Sequence, residues 1–236
     1  MSDVMSLIEK RQSTRSPFDT GRPIPREALQ KILEAARWSP TAHNMQNFEV
    51  VVVDDPKLLE EIAEIKAPVS EVFIRENYAQ LSLSEDELKK KKVGILGTMF
   101  PASWRTPGVT PKADADSESM QNKLVQKSSA LLVVLYDPAR RAPASEGDFL
   151  GIMSLGCVMQ NVWLAAQSLG IGFQIISSLS GDYIEGIVKR MLGVPSRLRI
   201  AFSARLGYPL HSSPYLRVRR EIKDFTHHNR YDVLGI

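Results

Sequence analysis

Lys10-Arg11-Gln12-Ser13-Thr14-Arg15 sets two arginines four positions apart, with a hydroxyl between them, at the end of a short apolar-patterned stretch. A guanidinium is a planar, permanently charged fork that meets phosphate oxygens two at a time, and Ser13 adds a small donor between the two forks. Alone, such a cluster is equally at home on a solvated basic face. The phosphate reading gains weight from segments further along the chain.

Outward from this stretch, Val4, Met5, Leu7 and Ile8 give a preceding helix one apolar side. Pro17 to Pro23 reads as a loop punctuated by Gly21. Pro25 suits the first residue of a second helix, where its missing N–H would be unpaired in any case. Leu29, Ile32, Leu33 and Ala36 then recur at helical spacing, and Pro40 halts the helix by pushing the residue before it out of the α region. Phe48 to Val53 is nearly all β-branched and reads as a buried strand; Asp55-Pro56 opens a helix to about Lys66.

Ser129 to Tyr136 is a second buried strand, and Phe149 to Leu169 the longest helix. The apolar residues of that helix go most of the way round, which places it in a protein centre or an interface. Gly170 supplies its stop. Ile171 to Ser177 predicts a third strand, Tyr183 to Leu192 a helix and Leu198 to Leu206 a fourth strand. Helices and strands mix without strict βαβ alternation, so the class is α+β. Between Ala67 and Lys127 the pattern is weaker. Ser84 to Glu87 has the S-x-x-E form of a capping box ahead of the basic run Lys89 to Lys92, and Phe100 to Asp116 has the composition of a surface loop. No composition shift marks a boundary and no repeat appears, so residues 1–236 are expected to form a single domain.

Composition narrows the function classes. With 43% hydrophobic and 24% charged residues, the 236-residue chain has the make-up of an ordinary globular protein. A net charge of +3 gives nucleic acid no strong foothold, and the basic runs lack the interleaved aromatics of a single-strand binder. One cysteine, Cys157, forms no internal disulfide, which suits a reducing cytoplasm; it reads as a packed helix residue. The first residues lack the pattern of a signal peptide, and no run reaches the roughly 18 to 20 apolar residues of a membrane span. His227-His228 has no cysteine or carboxylate at metal-ligand spacing. Trp38 and Trp163 read as core residues.

Two further segments carry polar chemistry. Ser39-Pro40-Thr41-Ala42-His43-Asn44-Met45-Gln46 lies between a helix and a strand and offers amides and hydroxyls to the edge of a heteroaromatic ring, though an ordinary turn would look the same. Arg217-Val218-Arg219 puts two guanidiniums on one side of an extended segment, or on a solvated tail.

Taken in order, Arg11-x-Ser13-x-Arg15, Ile32-Leu33-Glu34-Ala35-Ala36, Ser39-Pro40-x-x-x-Asn44-x-Gln46, Leu169-Gly170-Ile171-Gly172 and Gly207-Tyr208-Pro209 resemble the FMN-dependent nitroreductase superfamily. Arg219-Arg220 before His228-Asn229-Arg230-Tyr231 continues the match, and only about 67–127 fails to align. The resemblance implies a central mixed, largely antiparallel sheet flanked by helices in an intertwined homodimer, with FMN at the interface and a variable insertion or lid at about 67–127. It implies that Arg11, Gln12, Ser13 and Arg15 hold the FMN phosphate and ribityl chain, and that Arg217 and Arg219 close on the same phosphate. Asn44 and Gln46 would face the ring edge, Pro40 and Thr41 would approach from the second subunit, and Ile176 and Ser177 would lie along the ring. His43, Trp104 and Arg105 would contact substrate. The implied reaction is ping-pong: NADH or NADPH reduces the flavin, which then reduces a small organic acceptor (nitroaromatic, quinone or enone-like), with no side chain needed as acid or base. A non-catalytic FMN store, a dehalogenase and a flavin-fragmenting enzyme stay open as alternatives, because fold does not choose among them. The family often has Gln-Pro-Trp where this chain has Gln46-Asn47-Phe48.

Overall fold

The computed structural model describes residues 4–66, 82–96, 123–143, 147, 149–211 and 216–233. The chain divides into two compact units, residues 1–67 with 118–213 and residues 68–117 with 214–236. The helices are α1 (Val4–Lys10), α2 (Arg26–Arg37), α3 (Pro56–Ala63), α4 (Glu85–Lys91), α5 (Phe149–Ser168) and α6 (Asp182–Met191). The strands are β1 (Glu49–Val53), β2 (Ser82–Leu83), β3 (Ile95–Leu96), β4 (Ala130–Tyr136), β5 (Gly172–Ile175) and β6 (Arg199–Gly207).

The first unit is built on an antiparallel sheet in the order β1-β4-β6-β5. Because successive side chains of a strand point to opposite faces, the near-continuous apolar run of β4 requires a cover on both sides. It has one. Leu132 and Val134 pack with Leu29, Ile32 and Ala36 of α2 and with Val158, Val162 and Ala166 of α5. Leu131, Val133 and Leu135 pack with Leu59 and Ile62 of α3 and Ile184 and Val188 of α6. Each fully buried Leu, Ile or Val stabilises this arrangement by roughly 1.5–3 kcal/mol. Glu185, buried on α6, accepts from Arg199 Nε at 3.0 and 2.8 Å and from the Ile200 N–H at 2.7 Å, fixing the helix to β6. Gly170 ends the α5 region with φ of +71°.

Several expectations need correction. Phe48 to Val53 is not a fully buried strand: β1 is a sheet edge, and only Val53 is buried. Pro25 is the N-cap of α2 rather than its first residue, with ψ of 144°. Ile171 to Ser177 yields only the four residues of β5, because the chain turns into a 3-10 helix at Ser177–Ser180. Trp163 is core, but Trp38 is 73% exposed. Trp38 is the C-cap of α2, off the stripe of Leu29, Ile32 and Ala36, and its Nε1 donates to Glu34 beneath the Arg37 guanidinium. Finally, α5, at 20 residues, is long and apolar enough to cross a bilayer, although Val158, Val162, Trp163 and Ala166 are buried in the core. Cys157, also on α5, is a half-buried free thiol.

In the second unit, β2 pairs in parallel with β3, and α4 carries the expected capping box. Ser84 Oγ accepts from the Glu87 N–H while Glu87 Oε2 accepts from the Ser84 N–H, and the bonds from Ser84 hold the Glu87 carboxyl below the usual glutamate range. Lys92, left-handed at the helix end, reaches Glu221 at 3.0 Å and Asp224 at 3.7 Å.

Candidate functional site

Residues 11–19 run along the end of the sheet and are laced to it by backbone. The Thr14 N–H donates to the Phe173 carbonyl at 2.9 Å, that of Asp19 to Tyr208 at 2.8 Å, and that of Leu210 to Pro17 at 3.1 Å. Phe18 makes an antiparallel bridge with Pro209. Gln12 and Thr14 line a cavity of about 430 Å³ with Lys10, Trp163, Gly172 and Phe173 among its other walls. That volume is within the range of small-molecule and cofactor sites.

Aromatic packing fixes the near end of this segment. Trp163 stacks on Phe173 with ring centroids 4.9 Å apart, its Nε1 donates to the Gln12 carbonyl at 3.3 Å, and the Arg11 guanidinium lies 4.4 Å from the centre of its ring. Arg11, Gln12 and Ser13 are half-buried, whereas Arg15 is exposed. The sheet side offers no room. A Cβ on Gly207 would lie 2.5 Å from Phe18 Cβ, and one on Gly172 2.6 Å from Phe18 Cε1 and 2.9 Å from Thr14 Cγ2. Both positions are glycine because the segment approaches that closely.

The second polar segment forms a tight turn clamped to α5. Ser154 Oγ accepts from the Ala42 N–H, and Asn161 Nδ2 donates to Ser39 Oγ, both at 2.9 Å. Thr41 Oγ1 accepts from the Gln46 N–H at 3.1 Å, and Gln46 Nε2 donates to Asn44 Oδ1 at 3.2 Å. His43, Asn44 and Gln46 have φ of 50°, 50° and 46°. That conformation is uncommon for residues other than glycine, and asparagine and histidine adopt it more readily than glutamine. The space enclosed by Thr41, Phe48, Ser154 and their neighbours is only about 20 Å³, too small for a ring. Pro40, His43, Asn44 and Gln46 are instead exposed on the turn's surface. Asn47, which stands where the family often has proline, donates to the carbonyls of Asp137 and Arg140 at 2.9 Å and accepts from the Asp137 N–H at 3.1 Å, securing the turn by side-chain bonds.

The remaining candidates are dispersed. Ile176 is 1% exposed and packs in the core, with its N–H on the Ser203 carbonyl, and Ser177 next to it is exposed. Arg217 and Arg219 belong to the second unit, where Arg219 Nη1 donates to the Val218 carbonyl at 2.7 Å. His227, also there, lies against Tyr231 with centroids 4.4 Å apart. Trp104 and Arg105 fall outside the described residues, as does most of the proposed lid.

Sequence reasoning missed Arg205, which is fully buried behind the arginine segment, together with its partner Gln174. The signal was available: a charged residue alternating into an apolar strand, Phe202-Ser203-Ala204-Arg205-Leu206. It also missed the clamps of Ser154 and Asn161, which are polar residues on a helix read only for its apolar girth.

A family model described as the Nitroreductase family matches residues 8–208. A Staphylococcus aureus (strain N315) protein named NADPH-dependent oxidoreductase is 22% identical over 233 residues, spanning 98% of this chain and 75% of that protein. A Bacteroides fragilis nitroreductase solved with bound FMN superposes with a TM-score of 0.58 at 20% identity, covering 96% of this chain and 98% of the other. Iodotyrosine deiodinase bound to FMN and 3-iodo-L-tyrosine superposes with a TM-score of 0.60 at 21% identity, covering 96% and 100%. At these identities the structural likenesses establish the fold.

Proposed function

Because this chain belongs to the nitroreductase family, we propose that it is an FMN-dependent oxidoreductase that takes electrons from NADH or NADPH and delivers them to a small organic acceptor. A nitroaromatic, a quinone or an enone has the required chemistry. The observation that carries the reading is the Arg11–Arg15 segment, laced to the sheet by backbone bonds, with its Gln12 and Thr14 lining a cavity of about 430 Å³. Its donor set, two guanidinium forks and a hydroxyl, fits a phosphate monoester. FMN, when bound, supplies the two-electron chemistry.

This chain's own residues then bind and orient. Arg11, Ser13 and Arg15 hold the phosphate and ribityl chain, with Gln12 contributing its backbone N–H or its side-chain amide, while its carbonyl accepts from Trp163. Arg217 and Arg219 add charge to the same phosphate; their support is the sequence pattern. Asn44 and Gln46 meet the ring edge through amides, and Ser177 offers a hydroxyl along it. His43, Trp104 and Arg105 contact the acceptor. The turn of residues 39–47 is held by α5, so that its polar groups are fixed before any ligand arrives, which lowers the entropy cost of binding.

A homodimer completes the reading, with Pro40 and Thr41 approaching the partner's ring. Phe149, Ile152 and Met153 are 70%, 60% and 53% exposed in the single chain, and they share one face of α5. Gly156 continues that face with nothing within 4 Å of where its Cβ would stand. Such a stripe suits a second helix packed closely against it.

Fluorescence titration of flavin-free protein with FMN tests the site. Each of Arg11→Met and Arg15→Met is expected to weaken binding by about 10–100-fold, the worth of one charge-assisted bond. Unchanged affinity in both variants would contradict the assignment.

A further inference from the structure

Arg205 is 0% exposed at the end of β6, on the sheet face opposite α5. Its neighbour across the strands is Gln174 of β5, whose Oε1 accepts from Arg205 Nε at 2.8 Å. One terminal nitrogen, Nη1, donates to the carbonyls of Leu124 and Lys127 at 3.4 and 3.3 Å. The other, Nη2, donates to the carbonyls of Thr14 and Ser16 at 3.2 and 2.8 Å. The guanidinium also lies 4.3 Å from the centre of the Phe18 ring. A single planar fork therefore reaches the arginine segment, the turn before β4 and the edge strand together.

Arg15 stands between the two residues whose carbonyls Nη2 holds. The peptide between Thr14 and Arg15 is trans, as are all the described ones, so the Arg15 N–H points opposite to the Thr14 carbonyl. With that carbonyl drawn inward, the Arg15 N–H is directed away from the clamp, and the Arg15 side chain is exposed. The Thr14 N–H is already committed to Phe173 at 2.9 Å. The backbone on either side of Arg15 is thus pinned from within the core, while Arg15 itself is presented to solvent.

We infer that Arg205 is a positioning residue for phosphate recognition: it touches no ligand, but sets the backbone from which Arg15 and its N–H meet the FMN phosphate. This rests on the FMN reading above. Loss of the clamp disorders one donor pair and leaves the ring-facing turn of residues 39–47 unaltered, so the defect is confined to the phosphate. Groups that orient a primary ligand from behind commonly change affinity by about 10–100-fold when removed.

Full-length protein, stripped of flavin, is titrated with FMN and with riboflavin, which has the same ring and no phosphate. Arg205→Met is expected to weaken FMN at least about tenfold while changing riboflavin by less than about twofold, with Arg205→Lys falling between wild type and Arg205→Met. Circular dichroism confirms that each variant folds. Should Arg205→Met fail to fold, Gln174→Met carries the same comparison, since it frees the fork from its orienting acceptor, and a several-fold loss selective for FMN is expected. Equal weakening of both flavins means a general packing defect and overturns the proposal, as does an unchanged ratio of the two affinities. A wild-type protein that binds neither flavin overturns the FMN reading, and this inference with it; wild-type binding with no selective loss in the variants overturns the role of Arg205 alone.

Discussion

Phe18 lies flat across Gly172 and Gly207, a glycine pair facing each other on β5 and β6, with the Arg205 guanidinium over its ring. Because the atom nearest a Gly207 Cβ is Phe18 Cβ, next to the backbone, no rotation of the ring makes room. Gly207→Ala is therefore expected to cost about 1–3 kcal/mol in urea unfolding, the usual penalty of overpacking. Gly186→Ala supplies the contrast: it sits inside α6, its nearest atom is the flexible Arg190 Nη1 at 3.6 Å, and a gain of about 0.5–1 kcal/mol is expected. A loss at both positions would contradict the packing described. At this scale the sequence was half legible. Arg11 and Arg15 stand out by spacing, as paired forks close together, and their phosphate role is proposed from that pattern. Arg205 left only one mark, a charge within an apolar strand, because a buried cation held by backbone carbonyls has no partner motif in the sequence. Trp38 and Trp163 look alike as letters and differ only by where the helix stripe falls.

Secondary elements were easier to read where a pattern had a single physical solution. β4 needed cover on both faces and has it; the capping box of Ser84 and Glu87 formed because its two bonds are local. β1 misled, because a run of valines cannot tell a central strand from an edge, and the break after Ile175 misled because a 3-10 turn has no strong signature. α5 carries two messages at once. Its inner face packs in the core, while Phe149, Ile152, Met153 and Gly156 form an exposed apolar stripe. If that stripe meets a second copy, Ile152→Asp converts a dimer to a monomer in light scattering and weakens FMN binding without unfolding the chain. A wild-type monomer, or a variant that stays dimeric, would contradict the stripe as the dimer contact.

Across the whole molecule, the first unit joins segments far apart in sequence. The arginine segment is near residue 15, its edge strand near 173 and its closing strand near 205, and antiparallel pairing of β5 with β6 brings all three to one place. The fold class and the family followed from order and spacing of short motifs, because the sheet's topology fixes which loops share an end. The acceptor did not follow: Trp104 and Arg105 lie in the stretch that matches the family pattern least. The central claim is that this chain holds FMN and reduces it with a nicotinamide. Anaerobic absorption spectroscopy of purified protein tests it directly. The account predicts the two-band visible spectrum of oxidised flavin, bleached on addition of NADH or NADPH and restored by an organic acceptor. A colourless protein that takes up no flavin from added FMN, or a bound flavin that neither nicotinamide bleaches, would contradict it.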